Sequence, residues 1–104
     1  MYARHVSFRL KPNMQSEYTR AFEKQVLPIL RKQKGFMEEI TLCGPGTVDG
    51  AAISLWENKN NADDYNNLAY PEVLKILAKI MGGTPRVHPF ETVVSTFHNV
   101  PVAV

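Results

Sequence analysis

Phe36-Met37-Glu38-Glu39-Ile40-Thr41-Leu42-Cys43-Gly44-Pro45-Gly46-Thr47-Val48-Asp49-Gly50-Ala51-Ala52-Ile53-Ser54-Leu55-Trp56-Glu57 holds two short apolar runs on either side of a glycine-rich break. Gly44-Pro45-Gly46 and Asp49-Gly50 supply turn chemistry, so Phe36–Cys43 and Ala51–Glu57 are expected to return on each other as a hairpin. Phe36, Ile40 and Leu42 fall on one side of the first strand, Met37 and Cys43 on the other. In the second strand Ala51, Ile53 and Leu55 are separated from Ala52 and Trp56. Half-solvated strands alternate apolar with polar; these carry apolar groups on both sides, as a sheet covered on both faces does.

Each side of this hairpin has a helical region and a further strand. Upstream, Tyr2 to Leu10 alternates, with Val6, Phe8 and Leu10 on one face and His5, Ser7 and Arg9 on the other. Lys11-Pro12-Asn13 breaks the strand, and Asn13 is expected to cap a helix. Met14, Tyr18, Ala21, Phe22, Val26, Ile29 and Leu30 form its apolar stripe, which Pro28 should kink and Gly35 should stop in the left-handed conformation. Downstream, Asn58–Asn67 is rich in Asn and Asp, good capping residues and weak helix formers. Pro71 opens a stronger helix that runs to Met81 and ends at Gly82-Gly83. Thr84–Pro89 reads as a loop. Phe90–His98 reads as the last strand, Phe90 and Val94 opposite Val93 and Phe97.

The order is βαββαβ, the split βαβ unit of an α+β, ferredoxin-like fold. One domain over residues 1–104 is expected, a four-stranded antiparallel sheet with two helical regions on one face. Those helices can hide one face only, and a lone subunit would leave a large apolar patch in water. A second copy joined by two-fold symmetry is the simplest cover, so a homodimer through the sheet face, a dimeric α+β barrel, is expected. The tail, residues 98–104, is apolar and is expected to pack on the partner.

The bulk numbers narrow the function. The 104 residues carry 12 basic and 10 acidic groups, a formal charge of +2, too balanced to indicate a nucleic-acid or membrane partner. Cys43 is the only cysteine and cannot form an intrachain disulfide. The first nine residues contain no uninterrupted apolar run of the kind a signal peptide needs, and no stretch approaches a membrane span. The cytoplasm is the expected compartment.

Nearly end to end, the chain resembles the antibiotic-biosynthesis-monooxygenase-like (ABM) family of dimeric α+β barrels. The resembling pieces are Met1-Tyr2-Ala3-Arg4, Phe8-Arg9-Leu10-Lys11-Pro12, Val26-Leu27-Pro28-Ile29-Leu30, Gly35-Phe36, Leu55-Trp56-Glu57, Tyr70-Pro71-Glu72-Val73-Leu74 and Ser95-Thr96-Phe97-His98. The resemblance implies a ligand cleft within each subunit, between sheet and helices, lined by Val6, Phe8, Phe22 and Tyr65, with Trp56 and Tyr70 nearby. It also implies one of several activities. Some relatives are cofactor-independent monooxygenases that turn electron-rich aromatic polyketides into quinones, others degrade haem, and many have no assigned reaction. The haem reading is rejected. Val6 stands where haem-degrading relatives carry Asn, Tyr65 where they carry Trp, and Lys75 near the place of their axial His. No cofactor and no metal is expected.

Single residues add little. Trp56 suits ligand stacking but is better read as core or dimer seam. Tyr65 and Arg86 are the candidate catalytic groups, Tyr65 for its hydroxyl and Arg86 as a loop cation at a cleft mouth able to hold an oxyanion or carboxylate. His5 and His98 are expected to meet at the sheet centre, and His88 to lie in a loop. No histidine has a metal-type spacing, Gly44-Pro45-Gly46-Thr47 is no phosphate loop, and the adjacent pairs Glu38-Glu39 and Asp63-Asp64 send their carboxyls apart. Two main readings follow. One is a cofactor-independent monooxygenase acting on a small apolar or aromatic ligand; the other is a non-enzymatic dimeric ligand-binding or interaction module. An isomerase or lyase using His or Arg is the weaker third.

Overall fold

The computed structural model describes residues 1–98 and 100. The expected packing of the tail falls largely on Asn99 and residues 101–104, outside the described residues. Four strands, β1 (Tyr2–Arg9), β2 (Phe36–Cys43), β3 (Asp49–Trp56) and β4 (Arg86–Glu91), form one sheet. Their order is β2-β3-β1-β4, with every neighbouring pair antiparallel. This is the split βαβ arrangement that the order of elements called for. One helical region comprises α1 (Gln15–Ala21), a π-helical turn (Phe22–Val26) and α2 (Leu27–Arg31). The other comprises α3 (Lys59–Leu68) and α4 (Tyr70–Leu77).

The core lies between these helices and one sheet face. Phe8 and Trp56 from the sheet meet Tyr18, Phe22, Val26 and Leu30 from the first region, and Ala62, Tyr65, Val73 and Leu77 from the second. Proline explains the π turn. Pro28 has no N–H to donate and its ring crowds the carbonyl four residues back, so the helix widens through Phe22–Val26 and restarts with Pro28 in the first turn of α2. The Asn-rich stretch folds as α3 because Asn58 caps it, its side chain accepting from the Asn61 N–H at 2.9 Å.

Several expectations are corrected. Asn13 does not cap α1; it takes φ +62°, turning the chain, and the residue before the helix is Met14, without a side-chain cap. In β2 a bulge between Phe36 and Glu38 moves Phe36 onto the helix-side face with Glu39, Thr41 and Cys43, away from Ile40 and Leu42. The last strand is Arg86–Glu91 rather than Phe90–His98. Pro89 suggested a loop, but β4 is an edge strand, where a missing N–H leaves no ladder bond broken. His88 is therefore a strand residue directly opposite His5, their ring centroids 5.6 Å apart, and His98 is not its partner. His98 instead places Nε2 3.3 Å from Glu38 Oε1.

Gly35 does take the left-handed conformation, φ +79°, and a Cβ there would overlap the Asn61 side chain. Gly35→Ala is expected to cost about 2 kcal/mol, from backbone strain and overpacking together. Chemical denaturation measures it; an unchanged midpoint would mean that neither the left-handed backbone nor the Asn61 contact penalises a Cβ there.

Candidate functional site

Strand alternation places Arg4 on the same face as Val6 and Phe8, under the helices, and only 4% of it is exposed. Its guanidinium carbon lies 4.4 Å from the Tyr70 ring centroid and 4.8 Å from that of Tyr65. Nη2 donates to Asn66 Oδ1 at 3.0 Å. Among the described residues no carboxylate lies within ion-pair distance of it. A buried guanidinium stays charged, and two π faces offset only part of its lost hydration, each by about 2 kcal/mol when desolvated.

The carboxyl nearest in function is Glu39. It faces the helices from β2, opposite the buried Ser54 of β3. The Thr41 hydroxyl donates to its Oε1 at 3.1 Å. Burial pushes Glu39 up to about 8, against the opposing pull of the Thr41 hydroxyl and the Arg4 charge. Near neutral pH the group is mostly protonated, so the charge of Arg4 stands largely uncompensated. Burial also pushes the Tyr18, Tyr65 and Tyr70 hydroxyls above their ordinary range, so all three remain hydrogen-bond donors.

Aromatic rings wall this polar centre. Tyr65 stacks on Trp56 at 4.9 Å, and Tyr18 bridges Phe8 at 5.0 Å and Phe22 at 5.5 Å. Within them is a cavity of about 30 Å³, bounded by Arg4, Glu39 and Ser54 and by apolar side chains of both helical regions. That is room for a water-sized molecule. Outside it, between the first helical region and β2, runs an open groove of about 330 Å³. Tyr18, Phe22 and Glu39 border both spaces and form the partition between them. Phe22 and Val26, two of the apolar walls, belong to the π-helical turn, a geometry frequent at functional sites.

The sequence-derived residues divide. Val6, Phe8, Phe22, Tyr65 and Tyr70 line the cavity. Trp56 does not; it is wholly buried behind Tyr65, its indole N–H donating to Ser54 Oγ at 2.9 Å. Arg86 is opposite Ser7 in β4, on the sheet face turned away from the helices, because the strand begins there and its alternation sends Arg86 outward. Arg4 and Glu39 were missed. Arg4 was legible as a cation two residues before Val6 in an alternating strand, and Glu39 as the member of the diverging Glu38-Glu39 pair that shares a face with Thr41 and Cys43. Among the described residues no group of three or more His, Cys, Asp or Glu is placed to hold a metal ion. Nor is any helix among them long and apolar enough to cross a membrane.

No protein-family model matches the sequence, and no curated protein sequence matches it. Solved structures do. A protein of unknown function from Nitrosomonas europaea superposes with TM-score 0.75 at 14% identity, covering 98% of this chain and 95% of its own. A Bordetella bronchiseptica protein assigned by name as an antibiotic biosynthesis monooxygenase gives 0.75 at 16% identity, with 89% and 97% covered. A Streptomyces coelicolor monooxygenase in complex with the ligand nanaomycin D gives 0.74 at 17%, with 94% and 92% covered. The chain thus has the α+β fold of ABM-like proteins, a fold that includes named monooxygenases and proteins without an assigned reaction.

Proposed function

We propose that this protein is an ABM-like, cofactor-independent monooxygenase that works as a cytoplasmic homodimeric barrel, one domain per chain. Its substrate is a flat, weakly acidic aromatic molecule held between sheet and helices. The observation that carries this reading is Arg4, a buried guanidinium laid against two tyrosine rings, with no carboxylate of the described residues within ion-pair distance. An anion arriving at such a cation recovers the electrostatic energy that its burial forfeits. Phenolates and enolates are anions of that kind, and both are electron-rich enough to reduce dioxygen directly. In the proposed site Arg4 holds the substrate oxygen, Tyr65 and Tyr70 hold Arg4, and Val6, Phe8 and Phe22 keep water out.

Written for anthrone, the chemistry balances as anthrone plus dioxygen giving anthraquinone plus water. The substrate loses a C–H proton to become an enolate, which passes one electron to dioxygen. The radical pair joins in a C–O bond as a peroxide anion, which takes back the first proton to become a hydroperoxide. Loss of the remaining C–H proton on that carbon breaks the O–O bond, leaves the second carbonyl and releases water.

The homodimer is supported by the sheet face opposite the helices. Ile40, Leu42 and Phe90 are 51%, 50% and 57% exposed there, beside Ile53 and Leu55. An isolated subunit would leave this apolar surface wet.

The test is quinone formation from anthrone and dihydroxynaphthalene under oxygen. Arg4→Met, which keeps much of the length and loses the charge, is expected to lower kcat/KM about 100-fold or more with little change in thermal midpoint. An Arg4→Met protein as active as the parent would overturn the reading. The second reading, a non-enzymatic binding module, is favoured by the 30 Å³ interior, which must widen before a ring can enter. Binding of anthrone without turnover would establish it.

A further inference from the structure

We infer that Glu39 is the catalytic base of this site, taking the proton whose loss creates the anion that Arg4 then holds. The inference rests on the monooxygenase reading above and names a residue for the step that reading leaves without one.

Position is the first argument. Among the described residues bounding the cavity Glu39 is the only carboxyl, and it also borders the open groove, so a ligand moving inward passes it. Orientation is the second. Thr41 donates to Oε1, while Oε2 accepts from no described residue and is available to a ligand. The surroundings are the third. Facing Glu39 are Ser54 on β3, Arg4 on β1, Tyr18 on α1 and Tyr65 on α3, and Gln15, Thr19 and Glu23 stand across the groove. The tyrosines hold their protons, Arg4 cannot accept one, and Glu23 is exposed on the rim. Among the described residues of the cavity wall, Glu39 alone can act as a base.

The step closes. The substrate C–H or O–H bond breaks, its electron pair stays on the ligand as an enolate or phenolate, and the proton goes to Glu39 Oε2. The neutral carboxyl gives that proton to the peroxide anion formed when dioxygen adds, which makes the hydroperoxide. Glu39 then takes the remaining C–H proton as the O–O bond breaks and passes it to the leaving hydroxide, which departs as water. A carboxyl raised to about 8 is well matched to this task, strong enough as a base yet partly ionised near neutral pH.

Deuterium exchange into anthrone, followed by NMR in D₂O without oxygen, isolates the proton transfer from the oxidation. The parent protein should accelerate exchange above the spontaneous rate. Glu39→Gln should reduce both exchange and aerobic kcat/KM about 100-fold or more, and should abolish the rise of kcat/KM with pH centred near 8. Thr41→Val should move that rise to higher pH, since the Thr41 hydroxyl favours the ionised carboxylate. Full activity with an unaltered pH profile in Glu39→Gln, or an unmoved profile in Thr41→Val, overturns Glu39 as the base and leaves the role of Arg4 standing. Exchange without oxidation in the parent supports Glu39 and overturns the monooxygenase reading. Neither exchange nor oxidation overturns both.

Discussion

Alanine in place of Trp56 is expected to lower stability by about 4 kcal/mol, the largest loss that any single side chain here should produce. The indole is 0% exposed, stacked on Tyr65 at 4.9 Å and met edge-on by Phe36 at 5.5 Å. Truncation removes this packing, opens a cavity at the junction of β2, β3 and α3, and leaves Ser54 Oγ without its donor. In a domain of this size such a loss should lower the thermal midpoint by roughly 15–30 °C, read by calorimetry. Trp56→Phe should recover much of it by keeping an aromatic surface behind Tyr65. A fall of under about 1 kcal/mol for Trp56→Ala would mean that the site collapses without leaving a void. Because Tyr65 leans on Trp56 and Arg4 leans on Tyr65, the alanine variant should also weaken ligand binding in whatever fraction stays folded.

Glutamate in place of Ile40 should separate the proposed dimer. Ile40 is 51% exposed at the open sheet face, where a two-fold axis would bring two copies of the substitution into one interface. Each new carboxylate would lose water without gaining a partner, and the two would share a single apolar seam. The dissociation constant is expected to rise 100-fold or more, an effect of about 3 kcal/mol. Sedimentation at micromolar concentration should show dimer for the parent and monomer for Ile40→Glu. A well-folded parent monomer at that concentration would refute the homodimer, and with it the account of why this face is apolar.

Much of the architecture is legible from residue order alone. The hairpin turn chemistry between Cys43 and Ala51, the alternation of Val6 and Phe8, the Gly35 stop and the Pro28 interruption all have structural counterparts at their expected places. Errors occurred where a local signal has two meanings. Proline at 89 marks a loop or an edge strand, and only the position of β4 beside β1 resolves which. Period-two counting through β2 fails at one residue, because a bulge leaves no mark in composition and turns Phe36 to the other face. Arg86 reads as a loop cation from the sequence alone; because that segment is a strand, alternation points its side chain away from the cleft.

By itself, the sequence determined the βαββαβ order, the helix-side face of the first strand and the greasiness of both sheet surfaces, because each is encoded in spacing of two or about four residues. Tertiary structure alone decided the chemistry of the cleft. Arg4 meets Asn66 across 62 positions of chain and lies against two rings from the α3–α4 region, while Glu39 reaches the same space from the far edge strand. No local rule couples residues so distant. Only the packing of α3 and α4 over β1 places a cation on those rings, and only burial under the first helices turns an ordinary glutamate into a group that exchanges its proton near neutral pH.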